Sequence, residues 1–283
     1  MDPMRTLLCL AVAALSVHAV EATRGDADAQ PVRVKDVSWC RLDDGRPAML
    51  VRFAVDHDWH MYWTNPGDSG APPTAKATLP EGWRLGSPIW PRPRVQRTDG
   101  ETVYVHEGEW GWLLPVEGPQ PRAMPERPID LSLSWMACRR NCVVGRASVR
   151  VPPPVGTVAA RPESVGGSPF PVEPQAEDAV TVAPDRLRIR CRARGRMSAS
   201  FIQATNPGVA ATEDGAPVAV PIRDGIAEAE LPLVVRPQDA DGKELAISGL
   251  LLLGDRPTDP CVWIRRAIPA AVQTSAPASA QQP

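Results

Sequence analysis

The chain is short of the residues that usually build a large aromatic core: of 283 residues only two are Tyr and three are Phe. It also lacks a charge excess, the net charge being −2, so neither a nucleic-acid binder nor a polyacidic tail is indicated. No long stretch repeats apolar residues at i, i+3, i+4 and i+7, which argues against long helices. Beyond the N-terminus no run reaches the roughly 18 apolar residues that a membrane span needs; Leu250–Leu253 is long enough only for a strand. There is no Ser/His/Asp constellation, phosphate loop or hydrolytic carboxylate pair with supporting context, and no convincing short-period repeat. What is abundant is proline, 33 residues, together with nine Trp. Short strands separated by many turns satisfy that composition, and the fold class expected is all-β.

Residues 1–22 read as a secretory signal. Arg5 supplies the positive end, Leu7 to Val17 the apolar core, and Val17-His-Ala19 or Val20-Glu-Ala22 the small-residue cleavage pattern. The mature protein is then expected in the periplasm, or otherwise exported, where disulfides persist. Cys9 leaves with the signal. The remaining five cysteines, Cys40, Cys138, Cys142, Cys191 and Cys261, are odd in number, so at least one is unpaired or shared with a partner.

Residues 23–31 are polar and expected to be disordered. From 32 to 152 short strands follow one another. Val32 to Leu42 and Ala48 to Val55 make a hairpin about Asp43-Asp-Gly45, with Met49, Val51, Phe53 and Val55 on one face. Asn65-Pro-Gly67 and Ser69-Gly70 are turns, and Asp68 in that block is expected to tie backbone amides. Thr98–Val105 reads as a polar loop. Residues 153–179 have a Pro/Gly-rich linker composition, residues 180–268 a second set of strands, and residues 269–283 a disordered tail. In the second set, Leu187, Ile189, Cys191 and Ala193 alternate with Arg186, Arg188, Arg190, Arg192 and Arg194. A solvated strand face explains that arginine row better than an anion grip.

Cys138 and Cys142 stand at the junction of two alternating runs. Ile129, Leu131, Leu133 and Trp135 precede them; Ala147, Val149 and Val151 follow. Four extended steps cover about 13 Å, whereas bridged Cα atoms lie about 4.4–6.8 Å apart, so pairing requires the chain to double back between them. A loop that short constrains the unfolded chain little, which suits redox chemistry better than scaffolding. Arg139 and Arg140 lie between the sulfurs, where a cation favours the thiolate; exposed turn residues are the plain alternative. His57 and His60 with Cys138 and Cys142 would make a two-His, two-Cys set for zinc or Cu(I), although no paired C-x-x-C motif supports it. A purely structural bridge and a non-catalytic β-sandwich adaptor also stay open. Cys191 and Cys261, on the first and last strands of the second set, are either a structural disulfide or buried free thiols. Cys40 is then the odd thiol, buried near Trp39.

Trp59-His-Met-Tyr-Trp-Thr-Asn-Pro-Gly-Asp-Ser-Gly-Ala-Pro-Pro73 resembles a block of the N-terminal domain of DsbD-type thiol:disulfide interchange proteins, above all their ScsB-like branch. Leu79-Pro-Glu-Gly-Trp83, Ile89-Trp-Pro91, Glu107-Gly-Glu109 with Leu113-Leu-Pro-Val116, and Trp135 with Cys138 and Cys142 follow in the same order. The resemblance covers roughly residues 35–152 and, more loosely, 180–268. It implies an immunoglobulin-like β-sandwich followed by a second, smaller β-sandwich-like domain. It also implies a redox pair, Cys138 and Cys142, with Cys142 forming the mixed disulfide, and a cap loop for which Thr98–Tyr104 is the candidate, Tyr104 included as a modulator. The partners implied are a membrane-embedded electron donor and periplasmic thioredoxin-like or disulfide-isomerase proteins; no bound cofactor is implied. Cytochrome c biogenesis and copper tolerance are the processes associated with such proteins. The chain departs from the full pattern in carrying neither a transmembrane electron-carrying domain nor a thioredoxin-like one, so a donor would be a separate chain.

Overall fold

The computed structural model describes residues 30–212, 216–240 and 244–273; the expected signal segment lies outside them. Ten strands form the first half. They are β1 (Val32–Arg41), β2 (Pro47–Val55), β3 (His60–Gly67), β4 (Thr74–Thr78), β5 (Arg84–Leu85), β6 (Arg94–Thr98), β7 (Glu101–His106), β8 (Glu109–Glu117), β9 (Ile129–Cys138) and β10 (Cys142–Val151). One sheet runs β1-β2-β8-β5, and the other runs β10-β9-β3-β7-β6 with β4 also on β9. Met49, Val51 and Phe53 of the first sheet meet Met61, Trp63, Tyr104, Leu131 and Trp135 of the second in one buried cluster. Large indoles replace the missing Phe and Tyr: Trp63, Trp110 and Trp112 are among the largest fully buried side chains. Phe53 stacks on Trp110 at 4.9 Å and meets Trp135 edge-on at 5.7 Å, geometries that aromatic quadrupoles favour.

The second half carries β11 (Ser164–Val165), β12 (Ser168–Pro169), β13 (Ala179–Ala183), β14 (Arg186–Arg192), β15 (Ala199–Gln203), β16 (Val209–Ala210), β17 (Val218–Ala219), β18 (Ile222–Arg223), β19 (Ile226–Pro232), β20 (Val234–Val235), β21 (Ala246–Leu253) and β22 (Cys261–Ala267). Sheets β13-β14-β19-β18 and β17-β15-β21-β22 enclose an apolar core that includes Leu187, Ile189, Phe201, Leu251 and Ile264. The run Leu250–Leu253 is unbroken because both faces of β21 are covered, the situation in which strands lose their alternation. Leu251 and Leu253 face the second core, whereas Leu250 and Leu252 pack with the first half.

Residues 153–179, whose composition reads as a linker, are also fastened to both halves. Arg41 N donates to Ala159 O and Arg161 N to Arg41 O, both at 2.8 Å. Phe170 is buried with Cys40, Leu42 and Leu113. Farther on, Val172 N donates to Cys261 O at 3.1 Å. Between the halves, Arg92 is 3% exposed and its guanidinium donates to the carbonyls of Asp259, Pro260 and Gly254. Asn65 Nδ2 donates to Gln203 O and Thr205 Oγ1 to Thr64 O. Of the expected tail over 269–283, Ala270–Gln273 form a helical turn, with Val272 buried in the second core, and residues 274–283 lie outside the described residues.

The cysteines separate accordingly. The candidate Cys191–Cys261 bridge is not formed: both are free and buried. Cys191 on β14 faces the second core and Cys261 on β22 the first, so strand parity turns them to different interiors. Arg186 and Arg188 pair with Glu230, Arg190 lies 4.0 Å from Glu228, and Arg192 pairs with Glu177. The arginine row is a neutralised, solvated face.

Candidate functional site

Strands β9 and β10 pair in an unbroken register from Val151↔Ile129 to Cys142↔Cys138. Ile129, Leu131, Leu133, Trp135 and Ala137 point into the sandwich. Period-two alternation therefore turns Met136 and Cys138 to the outer face. Three residues, Arg139, Arg140 and Asn141, close the hairpin, which brings the cysteine Cα atoms to 4.1 Å, and Cys138 and Cys142 are disulfide-bonded. Doubling back on a turn is thus how four positions become a bridging distance. Gly145 has a steric reason to be glycine: a Cβ there would fall 2.2 Å from Trp135 Nε1, the indole lying across it.

The two sulfurs live in different surroundings. Cys138 is 4% exposed although it lies on an outer face. Tyr62 of β3 and Val105 of β7 cover it, with Val103 and Met136 beside them. Cys142, Val143 and Val144 on the opposite strand are exposed. One sulfur is therefore carried by a residue open to an approaching protein, and the other is sheltered.

Turn chemistry holds the cover in place. After Tyr62 the chain leaves the ladder through Asn65–Gly70. A Cβ on Gly70, where φ is +90°, would sit 2.1 Å from the Tyr62 ring, so the ring lies against bare backbone. Asp68 fixes the loop to β7: its Oδ2 accepts from Thr102 N at 2.6 Å and its own N donates to Thr102 O at 3.0 Å. Asp68 ties backbone amides, as its turn setting leads one to expect. Burial, with the Glu101 charge adding to it and a hydrogen bond from Ser69 opposing it, holds the Tyr62 phenol above its ordinary range.

Thr98–Val105 is not a polar loop. It is the end of β6, an Asp99-Gly100 turn with both residues at positive φ, and β7. A tight turn of that sign matches the right-handed twist of its strands. Val103 and Val105 of β7 face Cys138; Tyr104 between them faces inward, is fully buried and meets Trp63 edge-on at 5.9 Å. Tyr104 is therefore a core residue, and Tyr62 is the tyrosine at the bridge. The parity of the 59–63 block held that signal, since Tyr62 alternates with the inward Met61 and Trp63.

Arg139 and Arg140 are exposed and, with Asp58, line an open cleft of about 390 Å³ beside the hairpin end. Arg139 lies 5.3 Å over the Trp59 ring, a cation–π contact that anchors the loop. His57 points away, 94% exposed, with Nδ1 on Asp58 at 2.9 Å. His60 by contrast is the ladder partner of Cys138. The structure thus brings His60, Cys138 and Cys142 together and leaves His57 out. Among the described residues, no group of three or more His, Cys, Asp or Glu is arranged to hold a metal ion.

Comparison with known proteins bears on this half directly. The family model described as "Thiol:disulfide interchange protein DsbD, N-terminal" matches residues 28–152, the span that contains both sheets and the bridge. Residues 28–152 are a DsbD-type N-terminal domain. The solved N-terminal periplasmic domain of ScsB from Proteus mirabilis is similar in fold beyond the DsbD-type domain. Its TM-score is 0.52 at 14% identity, over 88% of this chain and 97% of that one. The YadV chaperone, with a TM-score of 0.23 at 6% identity over 84% of this chain and 100% of that one, is too distant to bear on the fold. The same holds for the E. coli chaperone DraB, at 0.22 and 10% over 84% and 98%. No curated protein matches the sequence. The immunoglobulin-like sandwich expected from the residue blocks is the architecture of this DsbD-type domain.

Proposed function

We propose that this protein exchanges disulfides with other exported proteins through Cys138 and Cys142, cycling between the bridge and the dithiol. The observation that carries the reading is the asymmetry of the pair: a bridge at the open tip of a hairpin, one cysteine exposed and the other covered. Exchange requires a thiolate to reach a sulfur in line with the bond that breaks. An incoming partner thiolate attacks Cys142 Sγ, the bond to Cys138 breaks, and the electron pair leaves on Cys138 Sγ. A second partner thiol then attacks the mixed disulfide at its own sulfur and frees Cys142. Two electrons and two protons pass to this protein, and the partner departs oxidised. Run backwards, the same steps reduce a partner's disulfide. Arg139 and Arg140 flank the exposed cysteine, where positive charge favours its thiolate.

In this reading reducing equivalents come from a membrane-embedded donor. They leave to thioredoxin-like or disulfide-isomerase proteins of the periplasm, with residues 1–22 directing export. Membership of residues 28–152 in the DsbD family supports these roles. The second half, which packs against the first along β15 and β21, is proposed as a scaffold that holds the redox half at a fixed orientation.

The test is equilibration of the mature protein with glutathione, followed by alkylation of Cys138 and Cys142 and mass spectrometry. Reversible opening at a poise above about −300 mV is expected, because structural bridges lie below that value. A Cys138→Ser variant should accumulate a mixed disulfide on Cys142 when offered a disulfide partner. A bridge that resists the glutathione pool entirely, or trapping that ignores Cys142, would overturn the reading.

A further inference from the structure

On the outer face of the second sheet the cysteine pair is continued by groups that disulfide exchange as described above does not use. Cys142 on β10 pairs with Cys138 on β9, and Cys138 pairs in turn with His60 on β3. Directly opposed residues of antiparallel strands share a face, with Cβ atoms about 4.5–5.5 Å apart. The next strand continues the row. Met61 is opposite His106, which places Glu107 beside His60, and the carboxylate is held from behind by Gln96 Nε2 at 2.5 Å and Arg94 Nε at 3.5 Å. His60 meets the Tyr62 ring edge-on at 5.2 Å, with its Nε2 3.3 Å from Tyr62 Oη. The groups around the imidazole are thus Tyr62 on its own strand, Cys138 on β9, Glu107 after β7 with Arg94 on β6 beyond it, and Arg139, which lies on the neighbouring Trp59. His60 is half-buried, so its ring can also reach solvent for a proton.

A sheltered sulfur needs such a neighbour. When the bridge opens, Cys138 Sγ leaves with an electron pair into a setting of Val105, Val103, Met136 and the Tyr62 ring, which is mostly apolar. When the bridge closes, the same sulfur must give up its proton before it can attack. We infer that His60 exchanges the proton with Cys138 during both steps, accepting it on closing and, once protonated from solvent, returning it on opening. The inference rests on the disulfide-exchange reading of the same pair. Burial lowers the His60 pKa and the Glu107 charge partly restores it, which leaves a neutral ring ready to take a proton at neutral pH.

Closing with oxidised glutathione as the probe isolates the step. The Cys142 thiolate attacks one glutathione sulfur and expels a glutathione thiolate. The Cys138 thiol passes its proton to His60, its sulfur attacks Cys142 Sγ, and the second glutathione thiolate leaves. Two electrons go to glutathione, and its two thiolates collect the two protons from His60 and solvent.

The experiment follows the mixed disulfide on Cys142 by quenched mass spectrometry from pH 5 to 9, in the full mature chain and in His60→Gln. Wild type is expected to resolve it with a limb that rises through the histidine range. In His60→Gln resolution should slow by about 100-fold, the lower end of acid–base contributions, and retain only the limb of the thiol itself. Glu107→Gln should shift the histidine limb to lower pH, because the charge that raised the pKa is gone. Equal resolution rates and equal pH profiles in wild type and His60→Gln would overturn this inference while leaving exchange intact. Absence of any mixed disulfide on Cys142 in wild type would overturn the exchange reading along with it.

Discussion

The two halves of the molecule use cysteine in opposite ways, although both are antiparallel sandwiches. In the first half Cys138 and Cys142 face each other across one hairpin, on the outer side of a sheet, at the end where the ladder stops. In the second half Cys191 and Cys261 lie at or next to strand ends, but on inward faces that belong to two different interiors. A strand end is therefore not enough for a working pair; the residues must also share a face. Cys40, next to the end of β1 and buried beneath Phe170 on the outer side of β1 and β2, is likewise a free thiol.

Selective alkylation sharpens this contrast most strongly. Burial pushes the thiol pKa up to about 11 at Cys40 and about 12 at Cys191 and Cys261, with the charges of Arg161 and Arg52 opposing it at Cys40, Arg266 at Cys191 and Arg92 at Cys261. After mild reduction, iodoacetamide at pH 7.5 (a pH of about that value suffices) should modify Cys142 at least about 100-fold faster than those three, read by peptide mass spectrometry. Comparable rates would erase the distinction between the halves.

Acid separates the halves next. The chain has four histidines, none after residue 106. His106 is fully buried and stacked on Trp110 at 4.2 Å, and burial lowers its pKa from 6.5 to about 3. Between those values the unfolded chain binds a proton that the folded one refuses. Stability is therefore whole above about pH 6.5 and falls as the pH drops towards 3, by up to ~1.4 kcal/mol per pH unit. His60, less buried, contributes with the same sign. In urea titrations at successive pH values His106→Leu should flatten most of this slope; an unchanged slope would refute the assignment.

Two arginine substitutions probe the seam against the surface. Arg92→Met removes donors from three inter-half carbonyls and should cost about 3 kcal/mol, since buried acceptors are left without partners. Arg188→Ala breaks only an exposed pair with Glu230 and should change stability by no more than about 0.5 kcal/mol. Denaturation midpoints decide both, and a reversal of the order would mean that the halves are held by something other than this guanidinium.

The parts of the fold that could be read in advance were those where one rule governed a whole stretch. Ile129 to Trp135 and Ala147 to Val151 alternate cleanly because one face is core and the other is solvent. Asp43-Asp-Gly45 marks a hairpin, and Asp68 behaves as a turn aspartate. The failures come where two environments compete for one strand. Val103, Tyr104 and Val105 looked like part of a loop because their apolar groups serve two faces, the bridge on one and the core on the other. Val165 and Phe170 are too sparse among prolines and glycines to signal that their segment is fastened to both halves. Cys191 and Cys261 could not be sorted, since alternation gives the parity of a strand and not the identity of the interior it faces. At the site, Cys138 and Cys142 were visible, whereas His60 opposite Cys138 depends on strand pairing that no local pattern reports.

Only three residues separate the bridged cysteines, and nine further ladder pairs lie behind them. Breaking the sulfur–sulfur bond therefore releases almost no chain, and the hairpin stays zipped whether it is oxidised or reduced. Electrons can come and go through such a tip as charge does through a terminal, while the body that carries it keeps one shape.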